Sequence, residues 1–195
     1  MSMTELRTIL NDNKGYVNAG SLSSQAELKR VQRAAEDGML LRLKRGVYVE
    51  PSEMLSNMID VESIVPEGVI CLYNAWAYYQ LTTMVPPAFC VAISAKRKIV
   101  VPDITHIQLY YWKAENLGFG ITEADISGFH VRITDQERSV CDAVKYRNKV
   151  GKEICSEVIR SYLRKKERNL SRLMEYAEKL RVKTTLQKYL EIAIG

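Results

Sequence analysis

A chain of 195 residues, 47% hydrophobic and 26% charged, can bury one generous core or two small ones and has the composition of a soluble globular protein. Its longest apolar stretches, residues 69–81 and 89–94, are too short or too interrupted to span a bilayer, and no charged segment followed by an apolar run opens the chain, so no membrane contact or secretion is expected. The net charge of +5 divides as +2 over residues 1–50 (8 cations, 6 anions), −5 over residues 51–142 (6 cations, 11 anions) and +8 over residues 143–195 (14 cations, 6 anions); two basic ends around an acidic middle suit a polyanionic partner, or simply cation-rich helical surfaces.

In chain order, Leu6, Ile9 and Leu10 recur at helical spacing between Thr4 and Asn13, and Asn13-Lys14-Gly15 ends that helix. Tyr16-Val17 is a short extended piece. Asn18 caps a turn or two through Leu22, and Ser21 to Ser24 reads as a tight turn. A second helix runs from Ser24 to Asp37, with Ser23 or Ser24 as cap and Glu27 in capping-box position. Its inward stripe is Leu28, Val31 and Ala35, with Ala34 beside them. The opposite face carries Gln25, Lys29, Gln32 and Arg33, with Arg30 on its edge. Gly38 ends the helix.

Residues 38–49 follow as two short runs of alternating character, Leu41-Arg42-Leu43-Lys44 and Val47-Tyr48-Val49, separated by Arg45-Gly46. The period of two and the glycine predict a β-hairpin with Arg42, Lys44 and Arg45 at or near its tip. Helix, turn, helix and basic hairpin in this order describe a winged helix-turn-helix. Gln25 and Lys29, early on the second helix, are the residues expected to meet base edges in a major groove. Arg33 and the three hairpin cations suit phosphates, and Ser24 and Arg30 complete the expected DNA-contacting set. The plain alternative is an amphipathic helix with a solvated face.

Pro51-Ser52 marks a boundary, dividing the chain into residues 1–50 and 51–195. Met54, Leu55, Met58, Ile59 and Val61 predict a linking helix that stops before Pro66. Residues 69–80 carry Leu72, Ala75, Trp76 and Tyr79 at helical spacing, and Pro86-Pro87 forces an extended turn. Residues 89–94, 105–112 and 129–133 read as strands of an antiparallel sheet. Lys96-Arg97-Lys98 follows the first of these as a loop that either touches phosphate or keeps a tip solvated.

The last third is helical over residues 136–147, 152–166, 170–180 and 184–194, with Thr134 or Asp135 as the first cap. Arg164, Lys165, Lys166, Arg168 and Arg172 form the densest basic cluster, fit for phosphate or for an acidic partner surface. Cys71, Cys90, Cys141 and Cys155 include no C-x-x-C pair, and His106 and His130 adjoin none of them. The cysteines therefore read as small buried hydrophobes in a reducing cytoplasm, and neither a metal site nor any cofactor is expected. Asp103, Asp135, Glu137, Asp142 and Lys145 loosely suggest a metal-dependent nuclease. However, Asp135 and Glu137 begin a helix, where one caps and the other complements the dipole. No catalytic residue is therefore assigned.

The phrases Gly15-Tyr16-Val17, Leu28-Lys29-Arg30-Val31 and Gly38-Met39-Leu40-Leu41-Arg42-Leu43-Lys44-Arg45-Gly46-Val47-Tyr48 resemble the N-terminal domain of AbiEi-type antitoxins. Residues 70–82 resemble that family's helix and "G-L-T" phrase, with Gln80 in place of the glycine. Residues 133–142 resemble its "T-x-x-E-R-T-L-x-D" segment, with Ser139 for Thr and Val140 for Leu. The resemblance covers nearly the whole chain in matching order. It implies a cytoplasmic, non-enzymatic repressor that binds double-stranded DNA of its own promoter, with a homo-oligomer on DNA as one arrangement, and that opposes a nucleotidyltransferase-like toxin. The expected fold is α+β: a winged helix over residues 1–50, then a small antiparallel sheet packed with helices. A protein–protein module that uses the winged helix only as a scaffold is the other reading.

Overall fold

The structure, a computed structural model, describes residues 8, 10, 15–51, 60–101 and 105–194. The expected first helix and the linking helix fall largely outside the described residues, as does Asp103. The chain is α+β and divides into two compact units. One unit comprises residues 1–66 with 99–106 and 127–129; the other comprises residues 67–98, 107–126 and 130–195.

In the first unit, β1 (Tyr16–Asn18) leads through a 3-10 turn (Ala19–Ser21) into α1 (Gln25–Glu36), followed by β2 (Leu41–Lys44) and β3 (Val47–Val49). The three strands form an antiparallel sheet in the order β1-β3-β2. Asn18 Oδ1 accepts from the Gly20 amide at 3.0 Å, which sets the 3-10 turn. Helix α1 stops where Asp37 N donates to Arg33 O at 2.8 Å and Met39 N donates to Ala34 O at 2.9 Å. Val31 and Ala34 are its buried residues; Leu28 and Ala35 are only half-buried. Val31 and Ala34 pack with Leu10, Val17, Leu40 and Tyr48 in a small core, with Leu22 and Ala35 against it.

In the second unit, β4 (Val69–Ile70), β5 (Phe89–Ser94), β6 (Ile107–Trp112), β7 (Ile121–Ile126) and β8 (Phe129–Thr134) form one sheet in the order β6-β5-β4-β8-β7. This sheet is mixed, not antiparallel as expected. Strand β5 runs parallel to β6 from Phe89↔Ile107 to Ser94↔Trp112, and β4 runs parallel to β8. Only a long connection can return a chain to the same end of a sheet, and residues 95–106 provide one. The stretch expected to be helical from residue 69 begins instead as β4. Leu72 takes a φ of +51°, and the helix, α3, spans only Tyr73–Tyr78. Tertiary pairing of Val69 with Ala92 and Arg132 overrides the apolar helical spacing there.

Helices α4 (Gln136–Lys145), α5 (Arg147–Val150), α6 (Lys152–Leu163), α7 (Leu170–Lys179) and α8 (Lys183–Ile194) complete this unit. Helix α4 is its central helix, buried at every position from Glu137 to Val144. Trp76 is fully buried and donates its indole N–H to Ser139 O at 2.9 Å, tying α3 to α4. All four cysteines are buried and unbridged, as the spacing implied.

Candidate functional site

Helix α1 begins at a well-made cap. Ser24 Oγ accepts from the Glu27 amide at 3.2 Å, while the Glu27 carboxylate accepts from Ser23 N at 2.8 Å and from Ser23 Oγ at 2.9 Å. The reciprocal bonds thus go to the residue before the cap, and together the cap and these bonds satisfy the Glu27 amide and fix where the helix starts. At 100° per residue, Gln25, Lys29, Gln32 and Arg33 share one face, opposite the buried Val31 and Ala34. All four are exposed, as is Arg30 on the flank, and none of the three cations is held in an ion pair among the described residues. Glu36 shares the exposed face at its C-terminal end.

The hairpin differs from simple alternation. Leu41 pairs with Val49, Arg42 with Tyr48 and Lys44 with Val47, so Leu43 is an extra residue bulged into the strand. Strict alternation would put Leu41 and Leu43 on the same face. The bulge separates them, and Leu43 is buried at 4% exposure while Leu41 stands at 36%. Gly46 closes the turn with a φ of +82°, a conformation that a side chain at this position would resist.

Arg42 and Arg45 are exposed, but Lys44 is not available as a tip cation. Its Nζ donates to Ile64 O at 2.7 Å, the last residue of a short helix, α2 in chain position between the hairpin and β4 (Val61–Ile64). A lysine there offsets the negative end of that helix and satisfies a terminal carbonyl. The hairpin therefore offers two exposed guanidinium groups with no ion pair among the described residues, and one structural ammonium.

The C-terminal cations lie around the α6–α7 connection. Arg164 and Lys166 are exposed, and neither is held in an ion pair among the described residues. Lys165 lies 4.0 Å from Glu167, and Arg168 Nη1 donates to Lys165 O at 2.7 Å. Arg172 Nη1 stands 3.8 Å from the buried Glu137 carboxylate, so its charge is partly committed inward. Arg97, in the Lys96–Lys98 loop, lies 3.8 Å from Glu67.

The acidic residues of the nuclease reading are built into α4. Asp135 caps the helix, accepting from Arg138 N at 2.8 Å and from Tyr176 Oη at 3.1 Å. Glu137 accepts from Tyr162 Oη and from Asn169 N, each at 3.1 Å. Arg138 is wholly buried. Its Nε donates to Asp142 at 3.1 Å and its Nη1 to the carbonyls of Asn116 (2.8 Å) and Phe119 (3.1 Å). Its guanidinium carbon lies 4.5 Å from the Trp112 ring centroid and 4.6 Å from that of Phe119.

Burial raises the Asp142 carboxyl to about 6, even though Arg138 and Lys145 both pull it down. Burial also pushes the Lys145 ammonium below its ordinary value. These groups hold α4 in place against the sheet, α6 and α7, as an internal polar device. The aromatic sandwich around Arg138 had no signal in the sequence, because Trp112 and Phe119 reach it only through the fold. Among the described residues, no group of three or more His, Cys, Asp or Glu side chains is placed to hold a metal ion. No described helix is long and apolar enough to cross a membrane.

Compared with models of known protein families and with curated proteins, the chain matches none.

Proposed function

We propose that the chain is a DNA-binding transcriptional regulator whose first unit works as a winged helix-turn-helix. The observation that carries this reading is the split of α1, with Gln25, Lys29, Gln32 and Arg33 exposed on one side and Val31 and Ala34 buried on the other, followed directly by a hairpin with exposed Arg42 and Arg45. In the proposed complex α1 lies in the major groove, with Gln25 and Lys29 at base edges. Arg30 and Arg33 contact phosphates, as do the hairpin guanidiniums, and Ser24 fixes the helix start against the backbone. Lys44 leaves the contact set because its ammonium is engaged by Ile64 O.

The resemblance to AbiEi-type antitoxins extends the proposal. The regulator is non-enzymatic, cytoplasmic and acts on double-stranded DNA of its own promoter, and its second unit opposes a nucleotidyltransferase-like toxin. Arg164, Lys166 and Arg168 are the exposed cations of the second unit that fit a phosphate or an acidic surface.

The test is fluorescence anisotropy of the full chain on the DNA upstream of its coding sequence, across a salt series. Replacing Arg42 and Arg45 together with Ala should weaken binding and lower the salt slope by about 2, one for each phosphate contact. An unchanged affinity and slope would remove the hairpin from the mechanism. Co-expression with a neighbouring nucleotidyltransferase-like gene tests the antitoxin part: growth rescued by the intact chain supports it, and growth arrest despite folded protein overturns it.

A further inference from the structure

The two edges of the five-stranded sheet are not alike. At one edge β7 (Ile-Thr-Glu-Ala-Asp-Ile) exposes Glu123 and Asp125, with His130 of the neighbouring strand 3.3 Å from the first and 3.6 Å from the second. Charges on an edge strand discourage pairing with another chain, and like charges on two copies would repel. At the other edge β6 reads Ile-Gln-Leu-Tyr-Tyr-Trp: six residues with no charge, no proline and no glycine.

Among the described residues, strand β6 pairs only with β5, and its one backbone hydrogen bond beyond that pairing runs from Ala95 N to Trp112 O at 2.7 Å. No described residue pairs with the outer backbone donors and acceptors of residues 107–111. Tyr110 and Trp112 are already used inside, against Tyr146 and Arg138. On the opposite face of the strand Ile107 and Leu109 are half-buried, and Tyr111 is 56% exposed.

The geometry points to a second copy of this chain as the occupant of that edge, bound by antiparallel β6–β6 pairing about a two-fold axis. A neutral strand meets its own copy without charge repulsion, which the β7 edge could not do. With the axis at Leu109, the two Leu109 side chains face each other, and Ile107 faces the second copy's Tyr111, so all three apolar residues of the face find partners at once. The two sheets become one continuous sheet, and the symmetry closes at two copies, leaving the β7 edges guarded. A six-residue edge buries much less than the ~800 Å² per partner of a standard stable interface, so the dimer is weak and depends on concentration.

Sedimentation velocity on the full chain over a hundredfold range of concentration tests this. The wild-type chain should move toward a dimer as concentration rises. Leu109→Lys and Leu109→Glu, which set like charges across the axis, should each remain monomeric, and their equimolar mixture should recover the dimer. Tyr111→Lys, at an exposed position that tolerates a lysine, should weaken the dimer by about tenfold or more and decides the matter if the Leu109 variants misfold. Thr122→Lys, on the β7 edge, should change nothing. A wild-type monomer throughout, a dimer undiminished by Tyr111→Lys, or failure of two folded Leu109 variants to recover it when mixed overturns the proposal.

Discussion

Arg138→Met is the sharpest perturbation of the second unit. Methionine replaces much of the arginine stem between the Trp112 and Phe119 rings, but it cannot donate. Three acceptors then lose their partner: Asp142 Oδ1 and the carbonyls of Asn116 and Phe119. Removing one member of a buried ion pair costs about 3–5 kcal/mol, and each orphaned carbonyl adds about 1 kcal/mol. Allowing for overlap, about 5 kcal/mol should be lost at neutral pH, a large share of the ~5–15 kcal/mol that keeps a domain folded.

The loss should also depend on pH with a definite sign. The Asp142 carboxyl sits at about 6 in the fold against an ordinary 3.8. A raised value in the folded state contributes stability that is present in full below the ordinary value and is lost as pH rises through the folded one. For a rise from 3.8 to about 6 that contribution is on the order of 3 kcal/mol in the wild type. Without Arg138 the carboxyl rises further, and the variant can escape an unpaired buried charge by taking up a proton. The penalty should therefore be greatest at neutral pH and should shrink in acid. Urea unfolding followed by circular dichroism at about pH 5 and about pH 7.5 measures it. A penalty below about 1 kcal/mol, or one that grows on acidification, would refute this account of the buried pair.

Gly120→Ala should destabilise the same region by about 3 kcal/mol, read by urea unfolding: φ is +64°, and a Cβ would stand 2.7 Å from Arg138 Cβ and 3.1 Å from the Tyr176 ring. Lys44→Ala should lower stability by about 1 kcal/mol through loss of the bond to Ile64 O, with no change in the salt slope of DNA binding; a slope that falls as it does for the arginines would return Lys44 to the interface. Gln25→Ala and Lys29→Ala should each reduce discrimination between operator and random duplex by about 1–3 kcal/mol; equal loss on both duplexes would make them phosphate contacts only.

Local periodicity made much of this chain legible before any coordinates. The Ser24 cap, the end of α1 at Gly38, the Arg45-Gly46 turn and the C-terminal helices each depend on neighbours within a few residues, and the structure places them within a residue or so of expectation, except that α4 ends at Lys145 with the unexpected α5 after it and α6 stops at Leu163. The exposed side chains of α1, Gln25, Lys29, Gln32 and Arg33, were readable for the same reason, since one helical face must be core and the other is then solvent.

Strand direction was not readable. It depends on how the chain returns between β5 and β6, and alternation looks the same in parallel and antiparallel pairs. The bulge at Leu43, which separates it from Leu41, and the Lys44 bond to Ile64 O likewise require partners twenty residues away or on another strand. The sequence could mark Asp135 and Glu137 as residues that begin a helix. Only the tertiary structure decided that Arg138 is sealed between Trp112 and Phe119, because a charged group remains buried only where distant backbone carbonyls, an opposite charge and aromatic faces converge on it.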